Sequence, residues 1–408
     1  MLAVTAATAH LQMIERYRKN AIVIAFAIAC CSGMLGAGAR GLVAQETTSA
    51  STNHQRQLQE YLQAHEKYER ETNTYWNIIA DKRRSRIAKR RNQEPILPED
   101  YVLAQPPPAY TGPPKPASSS GGKEEQPLKY IPVKADFLRN AAKYFQFAPQ
   151  EPEIEIQYKR AYAGAAFAGG LTREQVVRIY ALEAGGDGTY DAQAGLEAGV
   201  PGALPISTAL GYNQLLATNS IGLIAKHGDE LLARLKKKAE RASGLAGALL
   251  DQRSAAFEKI IRFCRSVPYN WTEHEKLAGT PEGIGVHAVT LDVDLGPLLQ
   301  AQKLLESVLF ARKSGVPRVL TAAELEMMNL SGDGNGLDMI TMPEYLRAKV
   351  PTANFFARGG YDRNPMVVEN NVVSTLILAT NAAMDEASAL TGAKHLERAF
   401  LAIESSAK

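Results

Sequence analysis

Apolar and polar positions divide the chain into four stretches of different pattern. Near the N-terminus an apolar run, Ala21 to Ala29, follows Arg16, Arg18 and Lys19 and precedes the small residues Ala37-Gly-Ala39. A basic start, a short apolar run and small residues are the layout of a signal peptide, so residues 1–44 are assigned to one, with Met13 as an alternative start. Residues 45–93 are polar with a helical period, and their narrow apolar stripe holds Leu58, Tyr61, Leu62 and His65. Residues 94–127 lose that period. Prolines at 95, 98, 106 to 108, 113, 114 and 116, with Ser118-Ser-Ser-Gly-Gly122, predict an extended or disordered tether. Residues 128–408 are rich in Ala and Leu with helical spacing, most clearly at 228–248, 251–267, 295–312 and 371–390. Strand-like patterns are confined to Glu153–Tyr158 and Gly285–Thr290. The pattern predicts a mainly α domain preceded by a signal peptide, a polar helix and a Pro-rich linker.

One carboxylate stands out against this background. Thr172 and Gln175 form a candidate capping box, followed by Val176, Val177, Ile179, Tyr180 and Leu182. Glu183 lies three residues after Tyr180, four after Ile179 and seven after Val176, on the same face as these apolar side chains. Burial disfavours the charged form, so a Glu placed there is a candidate general acid. Gly185-Gly186 then ends the helix and opens a loop beside the carboxyl.

Further along, Ser207-Thr208 is expected to cap a helix beginning near Ala209. One turn of that helix would hold Gly211, Tyr212, Asn213 and Gln214. Amides can bind sugar hydroxyl and acetamido groups, and an aromatic ring can stack on a pyranose. The plain alternatives are a last-turn Glu reaching solvent and an ordinary buried helix.

Together Glu183-Ala-Gly-Gly186 and Gly211-Tyr-Asn-Gln214 resemble the lysozyme-like superfamily, most nearly the bacterial soluble lytic transglycosylases. That group carries Glu-Ser, followed some twenty to thirty residues later by Gly-Leu-Met-Gln or Gly-Tyr-x-Gln. The resemblance implies a lysozyme-like helical domain that cleaves the MurNAc-GlcNAc bond of peptidoglycan. Glu183 would be acid and then base, with Gln214, Tyr212, Ser207 and Asn329 binding the glycan. This chain departs from the group's pattern with Ala184 in place of Ser and Asn213 in place of an apolar residue. A third motif, Ala-Tyr-Asn-x-Gly, is absent. Met327-Met-Asn329-Leu-Ser-Gly332 and Pro268-Tyr269-Asn270 compete for its place, and Asn329 is preferred because Thr321-Ala-Ala-Glu324 opens a capped helix before it.

The implied mechanism needs one carboxylate, the substrate acetamido group assisting, and leaves an anhydro sugar. A lysozyme-type hydrolase recruiting Asp187 or Asp191 is the alternative, although Gly-Gly-Asp187-Gly-Thr-Tyr-Asp191 has turn composition. A non-catalytic peptidoglycan-binding envelope protein is the other.

Composition narrows the setting. Of 3 cysteines, Cys30 and Cys31 fall in the signal segment, which leaves Cys264 in an apolar helical context and no intrachain disulfide. A lipidated Cys30 is the less favoured fate of the signal, because Ala27 is a poor upstream residue. An uncleaved anchor would need about twenty apolar residues where the run has about eleven. Export to the periplasm or cell envelope is expected, with a membrane-anchored form as the alternative. Net charge is only +3, but Lys82-Arg-Arg-Ser-Arg86 and Lys89-Arg-Arg91 form a basic run, either a solvated face or a contact with an anionic envelope surface. Nucleic acid is excluded as a partner by export.

No cofactor or metal is called for. Read as a calcium loop from Ser331, Asp333-Gly-Asn335-Gly-Leu-Asp338 puts Met342 where a bidentate Glu belongs, with Glu344 two residues late. His274 and His287, in what reads as a polar loop, show no ligand spacing. Phosphate-binding loops and nucleophile elbows are absent from the sequence.

Overall fold

The computed structural model describes residues 43–116, 130–196 and 202–407. The apolar run, Cys30, Cys31 and the Ser118–Gly122 patch lie outside them. The described residues fall into two units, 43–64 with 112–116, and 65–111 with 130–196 and 202–407. The first contains the start of α1 (Val43–Arg91), and the second holds the candidate site. Among the described residues there are 16 α-helices and no strands, so the protein is mainly α.

The helices that position the site form one packed group. α3 (Glu155–Ala168) lies against α9 (Gly296–Lys313) and α16 (Thr391–Ser406). α4 (Arg173–Glu183) packs on α10 (Ala322–Ser331), α15 (Val373–Ser388) and α16. α5 (Ala217–Arg241) runs against α6 (Gly244–Cys264), and α2 (Lys134–Phe145) against α8 (Pro281–Val286). α7 (Trp271–Ala278) joins the α5 side. The chain continues from α10 into α11 (Asp333–Thr341), α12 (Glu344–Arg347), α13 (Arg358–Asp362) and α14 (Pro365–Glu369).

Local chemistry explains the helix that carries Glu183. Thr172 Oγ1 accepts from the Gln175 amide at 3.2 Å, and Gln175 Oε1 accepts from the Thr172 amide at 2.9 Å, completing the capping box. Val176, Ile179 and Tyr180 are fully buried on one face. Gly185 and Gly186 stop the helix with φ of 67° and 75°. A side chain on Gly186 would also bring its Cβ within 2.4 Å of the Ala387 carbonyl, so glycine is required there twice over.

The basic run at the end of α1 is largely turned inward. Arg86 is fully buried; it donates to the carbonyls of Asp100 at 3.0 Å and Asn354 at 2.6 Å and pairs with Asp338 at 3.2 Å. Its guanidinium lies 4.8 Å from the Tyr101 ring centroid and 5.4 Å from that of Phe355. Arg90 shares Asp338, and Lys89 pairs with Asp100 at 2.6 Å. Trp76 and Ile79 are buried on the same helix, and Asp100 and Tyr101 are buried although they fall in the stretch read as a tether. Proline content marked that stretch as lacking regular structure; the buried charges of α1 hold part of it in place.

Several other expectations change. Glu155–Tyr158 opens α3 after an extended Ile154, and Gly285–Thr290 ends α8 and enters a 3-10 turn, so both stretches are mostly helical rather than strands. No helix begins near Ala209. Gly211 and Gln214 take φ of 81° and 42°, so Gly211–Gln214 is a tight turn closed by the Leu210–Leu215 bridge. Thr208 is not a helix cap: α5 starts after Leu216, and Thr208 Oγ1 accepts from the Ala217 amide across the turn at 3.1 Å. His287 is buried rather than in a polar loop; burial pushes its imidazole down to about 4, and it bonds Ser220 and the Thr208 carbonyl. Residues 333–341, read as a Gly-rich loop, form α11 directly after α10. Cys264 is buried as expected, with its thiol raised by burial. Among the described residues no helix is long and apolar enough to cross a membrane, and no cluster of acidic, His or Cys side chains could hold a metal.

Two outcomes follow. A chain beginning at residue 128 should unfold at a lower temperature than the full chain in a calorimetric scan, because Asp338 and Asn354 lose Arg86. Arg86→Met in the full chain should cost about 3 kcal/mol by leaving buried carboxylate and carbonyl groups without their donor. Unchanged melting of either variant would mean that α1 merely rests on the helical unit.

Candidate active site

Glu183 and Asn329 meet in the folded chain. Asn329 Nδ2 donates to Glu183 Oε1 at 2.8 Å from α10, bringing together two residues 146 positions apart in sequence. A third residue, Glu326, completes the cluster. It lies one turn before Asn329, is 2% exposed, hydrogen-bonds to Glu183, and approaches Asn329 Nδ2 at 3.5 Å. Glu183 is half-buried, with its carboxyl desolvated. Glu326 was not picked out from the sequence. The available signal was a lone carboxylate in Leu325-Glu-Met-Met328 with Asn329 three residues on, but the same helix start offered Glu324 as a capping residue, a role it fulfils.

Burial governs the protonation of this pair. It raises the Glu183 carboxyl above its ordinary range, opposed by hydrogen bonds from Glu326 and Asn329 and by the charge of Lys303. Burial also raises Glu326, much further, and the neighbouring Glu183 charge adds to that shift. Glu326 therefore keeps its proton longer and donates a hydrogen bond to Glu183. The result is an acid whose conjugate base faces two donors, Glu326 and Asn329. It can give up a proton and take one back without the carboxylate being left unsupported.

The second sequence motif has a supporting role. Tyr212 is fully buried, so its ring is not free to stack on a sugar; this corrects its assignment as a substrate-binding residue. It packs 4.7 Å from the Tyr180 ring, its hydroxyl donates to Glu155, and Lys159 Nζ lies 3.3 Å from that hydroxyl and 2.9 Å from the Tyr180 hydroxyl. Tyr180 in turn donates to the Gly188 carbonyl at 2.7 Å, holding the loop after Glu183. Gln214 uses its amide to brace its own turn, donating to the carbonyls of Gly211 at 2.7 Å and Ala192 at 3.1 Å. Ser207 Oγ accepts from the Ala209 amide at 3.1 Å. Asn213 is buried and bonded to Gln300 of α9, whose amide would clash with any Cβ on Gly211. The turn is thus keyed to α9 one helical turn before Lys303.

The alternative carboxylates are engaged elsewhere. Asp191 pairs with Lys134 at 2.8 Å and accepts from Thr189 at 2.6 Å. Asp187 accepts from the Gly392 amide at 2.6 Å, fastening the loop to α16. Tyr269 and Asn270 also lie apart from the pair: Asn270 caps α7 and Tyr269 stands edge-on to His274. Asn329 is the residue that reaches Glu183.

Carbon-13 titration of the carboxyl groups tests the pairing. Glu326→Leu removes a donor to the Glu183 carboxylate and should move the Glu183 midpoint to higher pH, while Glu326→Gln, which keeps an N–H donor, should restore most of the original midpoint. A downward shift in Glu326→Leu would show that Glu326 does not donate. No protein-family model, curated protein or solved structure matches this chain.

Proposed function

We propose that this protein is an exported peptidoglycan lytic transglycosylase acting at the cell envelope with Glu183 as its single catalytic acid and base. The observation that carries this reading is the desolvated Glu183 carboxyl held between Glu326 and Asn329. Protonated Glu183 would donate to the glycosidic oxygen between MurNAc and GlcNAc as that bond breaks, with the substrate acetamido group supporting the sugar carbon. The resulting Glu183 carboxylate, stabilised by its two donors, would then accept the proton of the muramyl 6-hydroxyl as its oxygen closes the anhydro ring. The group that this chain resembles has a Ser after its acid; here Glu326 and Asn329 supply the orienting hydrogen bonds that Ala184 lacks.

A two-carboxylate hydrolase fits less well. Such enzymes hold their carboxyl groups about 5 to 9.5 Å apart to admit a sugar or a water. Glu326 is closer, in hydrogen-bond contact with Glu183, and Asp187 and Asp191 are bound to other partners. Contact with an anionic envelope surface would fall to Arg84 and Arg91, the arginines of the basic run that remain exposed.

Digestion of purified sacculi by the full chain, with products resolved by mass spectrometry, tests the proposal. Wild type should release anhydromuropeptides and Glu183→Gln should be at least about 100-fold slower. Reducing-end products would overturn the transglycosylase in favour of hydrolysis, and equal binding without release by either protein would favour a wall-binding scaffold. Activity should also fall as pH rises through the Glu183 midpoint, because the acid form is present below that pKa and lost above it. A rate that climbs with pH across that range would exclude Glu183 as the acid.

A further inference from the structure

The half-exposed face of α9 continues past the Glu183–Glu326 pair. Lys303 acts on both of those carboxyls. Glu306 follows it by three residues, roughly 4.5 Å along the helix axis. Glu306 is bonded to Lys226 and, at 2.8 Å, to His227, both on α5. Gln302 Nε2 lies 3.3 Å from both Glu306 and His227. Burial alone would raise the Glu306 carboxyl, but the hydrogen bonds from Lys226 and His227 outweigh it, so Glu306 remains an ionised acceptor.

Beside this polar cluster stands an exposed aromatic ring. Tyr269 is 63% exposed and is held edge-on to the buried His274, with ring centroids 5.0 Å apart. His274 in turn lies against Gly222 of α5, one turn before Lys226, which sets the Tyr269 ring at the Lys226 end of that helix. Trp271, 51% exposed, opens α7 two residues after Tyr269. The turn between them is fixed, since Asn270 accepts from the Glu273 amide at 3.0 Å and its own amide reaches the Pro268 carbonyl at 2.9 Å. The rings are therefore held outward by a capped helix start.

An aromatic plate beside a carboxylate, an ammonium, an imidazole and an amide suits a pyranose. The C–H face of the sugar packs on the ring while its hydroxyls donate to Glu306 and accept from Lys226. The carboxylate opposes phosphate or acidic peptide ligands, and the charged groups oppose a flat apolar partner.

We propose that Tyr269, Lys226, His227, Gln302 and Glu306 form a second saccharide subsite, which takes a sugar unit of the glycan strand whose scissile bond lies at Glu183. The proposal rests on the glycan-cleaving reading but can fail separately from it. The full chain carrying Glu183→Gln, which cannot turn over, is titrated with the β-1,4-linked N-acetylglucosamine hexamer. The chain has 2 tryptophans, and Trp76 is buried, so emission changes report chiefly on Trp271. The hexamer should shift that emission to the blue, and adding Tyr269→Ala should weaken hexamer binding about tenfold by calorimetry, with Tyr269→Phe retaining most of the affinity. Absence of binding, or affinity indifferent to Tyr269, overturns the subsite. If wild type fails to cut sacculi while Tyr269 still governs hexamer binding, the catalytic reading falls and the subsite stands.

Discussion

The interaction on which the arrangement depends is a lysine buried among tyrosines. Lys159 is 2% exposed, and its ammonium lies 4.5 Å and 4.6 Å from the ring centroids of Tyr180 and Tyr212. Burial pulls this ammonium below its ordinary pKa, opposed by the Glu155 carboxylate at 3.3 Å. A buried cation persists only when its N–H groups are satisfied, and here Glu155 and two phenols do so. The three groups come from α3, α4 and the Leu210–Leu215 turn, so one charge ties the acid-bearing helix to the second motif. Glu155 also accepts from the Tyr190 amide at 3.1 Å, which fixes the loop that follows Glu183.

From that hub the site is assembled by α9 and α10. Gln300 fills the space over Gly211 and bonds Asn213, setting the turn against α9. On the other side α10 delivers Glu326 and Asn329 to Glu183. Buried charges elsewhere among the described residues are also paired, some across distant segments, as with Arg253 on Asp292 and Arg86 on Asp338. Removing one partner would leave the other desolvated, which makes each pair costly to break even where its net contribution is small.

The Glu183–Glu326 pair brings like groups together instead. Two like groups are buried together, and the conflict is relieved by retaining a proton on the deeper one. Glu183 thereby becomes an acid tuned by competition between burial and two donors. The half-exposed face of α9 continues toward α5, where Glu306 pairs with Lys226 and His227.

The sequence by itself determined the helical class, the capped start of α4, its Gly-Gly end, the capped start of α10 and the unusual position of Glu183. These are local properties, set by side-chain period, capping and glycine conformation over a few residues. It also marked Asn329 through the cap that precedes it. The tertiary structure alone decided which side chains meet. Tyr212 has the composition of a sugar platform, yet a ring of buried tyrosines claims it. Glu326 has the composition of a surface residue, yet packing places it on Glu183. The basic end of α1 reads as a free charged face, yet Asp100 and Asp338, distant in sequence, turn it inward. Burial and charge pairing depend on contacts between remote segments, and helical periodicity carries no record of those partners.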